Sequence, residues 1–221
     1  MSNPVSDATL EQFRSAAAGT HPTPAGVAVA AVSAGFALGL IAKALAVSAR
    51  RKAVSENTAR LEPLVAAAQT ASERMLQLAA EDSAAFESYL TAARLPKSTE
   101  AEGQRRRQTV DAAARRSTEL PLVAAREAAT GLQLCREAST LTHIAVIADL
   151  GAAASLLSGA LRVFLLCAES NVRQLAPDDD GYAERVSQER DQHEHAFHQA
   201  DEVLELVAAT LEAAAGHRRE P

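Results

Sequence analysis

The sequence predicts an all-α protein, a single-domain bundle of long antiparallel helices covering residues 1–221. Three observations carry that prediction. Ala, Leu, Glu and Arg dominate, while aromatic residues make up only 3% of the chain and Trp is absent; such a composition favours helix and gives a sheet little to pack with. Apolar residues recur at three- and four-residue steps, as at Leu61, Leu64, Ala68, Met75, Leu78 and Phe86. No stretch reads as a strand, and no repeat of solenoid length is visible. At 221 residues, 48% of them hydrophobic, the chain is long enough to bury most of its apolar surface in one core.

The elements follow in order. A first helix is expected over about 7–18, capped by Ser6 or Asp7. Gly19-Thr20-His21-Pro22-Thr23-Pro24 turns the chain, since two prolines so close stop one helix and start another. An Ala-rich helix runs to about Ala49, and a very long amphipathic one covers about 51–93. Leu95-Pro96-Lys97 ends it, and Ser98 or Thr99 with Glu102 forms a capping box for the next. That helix continues to about Thr140, with Pro121 expected to kink or interrupt it. A further helix spans about 148–175. Pro177-Asp178-Asp179-Asp180-Gly181 is a turn, and one last helix covers about 182–215.

The formal net charge is −6, which argues against a nucleic-acid partner. The basic runs Arg50-Arg51-Lys52, Arg105-Arg106-Arg107 and Arg115-Arg116 read as solvated helix faces, or as a means of capturing an anionic ligand tail. Cys135 and Cys167 lack Cys-x-x-Cys spacing and sit in apolar helical contexts, as small buried hydrophobes of a reducing compartment do. With Asp7 and Glu11 near the start, no export segment is read and a cytoplasmic setting is expected. Residues 25–49 are apolar enough for a membrane span. Lys43 and the many small residues instead favour burial in a core or at a dimer seam, so no membrane partner is expected.

Two carboxylates stand out. Asp82 lies inside an Ala/Leu helix, in Glu81-Asp82-Ser83-Ala84-Ala85-Phe86, and is either a solvent-facing charge or a functional one. Asp149, in Ile147-Ala148-Asp149-Leu150-Gly151, opens a helix, where the helix dipole alone favours an acid. Asp191, His193, His195, His198 and Glu202 invite a metal reading, but the zinc-protease pattern would need His at 197 and finds Phe. A solvated polar face accounts for them, and no metal and no cofactor are expected.

Pro22-Thr23-Pro24, Ala85-Phe86, Leu95-Pro96-Lys97-Ser98-Thr99, Glu119-Leu120-Pro121-Leu122, Asp149-x-Gly151 and Leu161-Arg162 stand in order across residues 8–175. Together they resemble the cyclodeaminase/cyclohydrolase family, the folate enzymes that include methenyltetrahydrofolate cyclohydrolase and the C-terminal part of formiminotransferase-cyclodeaminase. The resemblance implies an all-helical homodimer acting on methenyl- or formimino-tetrahydrofolate. It implies that Asp82 and Asp149 are the pocket acids, that Gly26 and Asn171 contact substrate, and that Arg51 and Lys52 meet the glutamate tail. A carboxylate suits a cationic carbon held between two nitrogens, because it stabilises the charge and accepts a proton from attacking water.

The departures from the family pattern are specific. Ala25-Gly26-Val27-Ala28 replaces a glycine-rich run, His143-x-Ala145-x-x-Ala148 replaces a polar Asn/Ser pattern, and Cys167 stands in place of an Asn. His143, six residues before Asp149, either substitutes for a lost donor or base, or is a helix-terminal histidine satisfied by backbone. Two functions are therefore expected: a cyclohydrolase/cyclodeaminase acting on a cyclic amidine, or a diverged homologue with a more apolar pocket and different chemistry or a purely binding role.

Overall fold

A computed structural model describes residues 5–51, 58–173, 175 and 180–216. Among the described residues the regular structure comprises seven α-helices and two 3-10 turns, with no strand. The helices are α1 (Leu10–Ala17), α2 (Gly26–Ala49), α3 (Thr58–Ala93), α4 (Glu100–Ser139), α5 (Ile147–Val172), α6 (Asp180–Gln192) and α7 (Glu194–Gly216).

Local signals account for most boundaries. Thr9 caps α1 in a capping box with Gln12, in place of the expected Ser6 or Asp7. Glu102 accepts from the Ser98 and Thr99 N–H groups, and Thr99 Oγ1 accepts from the Glu102 N–H at 3.2 Å, so the predicted box before α4 forms. The Arg106 guanidinium closes the preceding turn by donating twice to the Ala93 carbonyl at the end of α3.

Two expectations bear on the course of the helices. The last helix is not continuous: it breaks at the buried His193, between α6 and α7. Pro121, conversely, does not interrupt α4, which runs unbroken from Glu100 to Ser139. Proline leaves the carbonyl four residues earlier, that of Ser117, without its helical donor. Asn171 Nδ2 on α5 donates to that carbonyl at 2.8 Å and fills the gap.

The chain resolves into two compact units, each assembled from three separate stretches, and α2, α3, α4 and α5 supply residues to both. The first comprises Met1–Val32, Met75–Arg126 and Leu161–Gln192. Its core includes Met75, Leu78, Leu120, Leu122, Phe164 and Val186, all buried. At its edge Glu119 accepts from both Arg126 and Arg185, Arg126 also pairs with Glu189, and Tyr182 lies between the guanidinium groups of Arg115 and Arg185 at 5.8 and 5.7 Å.

The second unit comprises Ser33–Arg74, Glu127–Ala160 and His193–Pro221. Leu38, Ile41, Leu45, Leu61, Leu132, Ile147 and Leu150 are fully buried there. Small residues permit close helix packing: a Cβ on Gly131 would sit 3.1 Å from Leu38 and 3.3 Å from Leu157, and one on Gly151 would sit 3.2 Å from Val207. Cys135 is buried beside the Leu150 carbonyl, and burial pushes its thiol up to about 12, an inert structural cysteine.

Candidate functional site

The predicted site residues fall into two groups, one in each unit. Asp82, Gly26 and Asn171 belong to the first, which also holds Cys167; Asp149, His143 and Arg51 belong to the second, which also holds Lys43.

Asp82 stands on α3 in register with Met75, Leu78 and Ala85, which are buried. Residues three and four apart share a helix face, so the amphipathic stripe that builds the core also carries this carboxylate inward. It is half-buried rather than solvent-facing. Among the described residues it has neither a hydrogen-bond partner nor an ion pair. Burial pushes its pKa up from 3.8 to about 6. An ionised carboxylate without compensating donors disfavours its own charge, and a carboxyl group that titrates near neutrality is suited to proton transfer.

Cys167 on α5 is close enough for the Asp82 charge to act on it. Burial first, and that charge second, raise the pKa of its thiol, which keeps it protonated and removes it as a nucleophile. Gly26, the exposed first residue of α2, presents bare backbone beside it. A Cβ there would lie 3.3 Å from Cys167 Sγ and 3.8 Å from Val163. The glycine thus keeps open a space that any side chain would narrow. Asn171, expected at substrate, gives its amide to the Ser117 carbonyl and thereby braces α4.

In the second unit, Asp149 sits in the first turn of α5, where the helix dipole favours a negative charge. Lys43 Nζ meets its Oδ2 at 2.8 Å, with the lysine side chain 59% and the aspartate 31% exposed. Lys43 was legible in the sequence only as the one charge in an otherwise apolar helix. Its partner lies more than a hundred positions away, so no local pattern announces the pair.

His143 caps the 3-10 turn Ile144–Val146: the Ala145 N–H donates to its Nδ1 at 3.1 Å, and its own N–H donates to Ser48 Oγ at 2.8 Å. With Nδ1 accepting, Nε2 is the ring nitrogen left to act as a donor. Arg51 is exposed just after α2, its N–H donating to the Ser48 carbonyl at 3.0 Å. Lys52 lies outside the described residues. Among the described residues no three His, Cys, Asp or Glu side chains converge to hold a metal ion. His195 instead contacts Gln199 one turn on, at 3.3 Å.

Fold and site together define an all-helical class of protein whose candidate chemistry rests on carboxylates carried by long helices. The chain belongs to the formiminotransferase-cyclodeaminase family, whose model matches residues 9–192. It is 28% identical over 181 residues to a methenyltetrahydrofolate cyclohydrolase of Methylorubrum extorquens, covering 80% of this chain and 84% of that protein. Its fold matches the crystal structure of formiminotetrahydrofolate cyclodeaminase from Thermotoga maritima with a TM-score of 0.79 at 21% identity, over 96% of this chain and 99% of that one.

Proposed function

We propose that this chain is an enzyme of the cyclohydrolase/cyclodeaminase type, acting on a C–N bond of a cyclic amidine of the methenyl- or formimino-tetrahydrofolate kind. The observation that carries the proposal is Asp82, a half-buried carboxylate with no partner among the described residues and a pKa of about 6. Family membership and the cyclohydrolase relative support the substrate class. In the cyclohydrolase direction, water adds to the cationic methenyl carbon and its proton passes to the Asp82 carboxylate. One C–N bond then breaks as the hydroxyl oxygen gives up its own proton and becomes the formyl carbonyl on the other nitrogen; of the two protons that came from water, the departing nitrogen takes one and solvent the other. A carboxylate desolvated before substrate arrives gains most from a cation placed beside it.

In this reading Gly26, in the unit that carries Asp82, lets the substrate approach the backbone, and Asn171 holds α4 in place while its side-chain oxygen is left for hydrogen bonding. Asp149, His143, Arg51 and Lys52 are candidates through their place in the family pattern alone. The chemistry calls for no cofactor beyond the folate itself. A reducing, cytoplasmic setting suits the unpaired thiols Cys135 and Cys167.

A homodimer belongs to the same proposal. Both α2 and the segment Ile144–Val172 are long and apolar enough to cross a membrane. The most apolar stretch of α2 is 67% buried, as in a core helix, but that of the second segment is only 44% buried. Leu156 and Leu166 lie on an exposed stripe of α5, and Val29 and Phe36 on one of α2. A second copy would cover such a surface.

The test is the absorbance decay of 5,10-methenyltetrahydrofolate at slightly acidic pH, comparing wild type with Asp82→Asn and Asp149→Ala. Acceleration over buffer that disappears in Asp82→Asn supports the proposal. No acceleration favours the second reading, a diverged relative with a more apolar site, for which the Cys167 thiol beside Gly26 is the structural argument.

A further inference from the structure

The face of α3 opposite Asp82 lines an open cavity of about 640 Å³ within the first unit, bordered on its other side by α1, the residues just before it and the turn that follows. Ala80, Ser83, Ala84 and Glu87 fall at helical steps on that wall. With three of these side chains so small, α1 does not pack down onto α3. It is accordingly held loosely: none of its eight residues is buried. The volume lies within the range of small-molecule sites.

Glu87 is the one carboxylate among the residues lining this cavity, beside the neutral Gln12, Thr23 and Ser83 and the ring of His21. Thr23 Oγ1 donates to Glu87 Oε1 at 3.0 Å, and His21 Nδ1 lies 3.0 Å from the Thr23 carbonyl and 3.3 Å from its hydroxyl. Glu87 has no cationic partner among the described residues. A neutral hydroxyl satisfies one carboxylate oxygen and leaves the charge uncompensated, beside the apolar surfaces of Phe13, Ala80 and Ala84. A cation with an apolar body meets both requirements, whereas an anion would be repelled.

We propose that this cavity is a second ligand site, separate from the Asp82 site, which takes a small organic ammonium compound. Its ammonium group binds Glu87 and its alkyl or aromatic body lies between Phe13 and the alanines of α3. Because α1 buries no side chain of its own, an occupant adds the contacts that α1 lacks, and binding orders it.

The probe is 2-phenylethylamine, with 2-phenylethanol as its neutral isostere, titrated by NMR and calorimetry into the full chain. Hydrogen exchange of the α1 amides is followed in parallel. Saturable binding of the amine is expected, weakened about tenfold or more in Glu87→Gln and for the alcohol, as loss of one charge-assisted hydrogen bond requires. Slower exchange over residues 10–17 should accompany it. Ala84→Leu fills the cavity from an exposed position and is expected to abolish binding without loss of helical circular dichroism. Failure of wild type to bind the amine at millimolar concentration overturns the proposal. So does amine binding that is unchanged in Glu87→Gln or matched by the alcohol. Neither result bears on folate turnover, which is measured separately.

Discussion

Asp82 and Asp149 show how differently one fold treats two carboxylates. Asp149 sits where a helix start and a lysine both welcome a negative charge, with Lys43 at 2.8 Å and solvent close by. Asp82 lies on a core-facing stripe with no partner among the described residues, and burial alone lifts it to about 6. An acid kept in reserve by desolvation is available for chemistry, whereas an acid already satisfied is available for holding something in place. In the proposed function the contrast favours Asp82 over Asp149 for proton transfer.

The largest effect that would break this comparison is on turnover. Asp82→Asn should lower the cyclohydrolase rate by about 10²-fold or more, the usual scale for removal of a positioned base. Asp149→Asn should cost much less, and more in KM than in kcat. Equal losses in kcat would erase the distinction.

Stability should move the opposite way. Because folding raises the Asp82 pKa from 3.8 to about 6, the folded state binds more protons than the unfolded chain between those values. Its stability therefore falls as pH rises through that window and stays lowered above it. Asp82→Asn removes the penalty. With the half-exposed position discounted, denaturant unfolding at pH 7 should show a gain of about 1–2 kcal/mol, shrinking toward zero near pH 4. A variant that is less active and also less stable at neutral pH would mean that the carboxylate is structural.

A third effect sharpens the account of Asn171. Asn171→Ala should cost about 1 kcal/mol by leaving the Ser117 carbonyl unpaired. In a Pro121→Ala background, where the helix supplies its own N–H, that cost should largely vanish. A double-mutant cycle with no coupling would contradict the link.

The smallest effect concerns Lys43 and Asp149. Lys43→Met should lower stability by at most about 0.5–1 kcal/mol, less at high salt, as befits an exposed pair. A larger, salt-independent loss would show the pair to be more than a surface contact.

The comparison also marks what the sequence made legible. Helix periodicity, the Leu95-Pro96-Lys97 stop and the Thr99–Glu102 box were readable because each depends on neighbours within four residues. The break at His193 was not, since neither Gly nor Pro marks it; the chain there passes from one compact unit to the other. The persistence of α4 through Pro121 was equally hidden, because its remedy comes from Asn171, fifty residues on. At the site, the identity of Asp82 and Asp149 came from their place in a family pattern. Their contrasting environments, burial for Asp82 and the ion pair with Lys43 for Asp149, arise only in the folded chain. The register of Asp82 with Met75, Leu78 and Ala85 was the one local sign that it turns inward.

The measurement that bears most directly on the central claim is the pH dependence of catalysed 5,10-methenyltetrahydrofolate hydrolysis, corrected for the buffer reaction. If Asp82 is the proton acceptor, kcat/KM rises with pH through about 6, the value that burial sets, and this rise is absent from the residual activity of Asp82→Asn. A catalysed rate that follows the same profile in both proteins would contradict it.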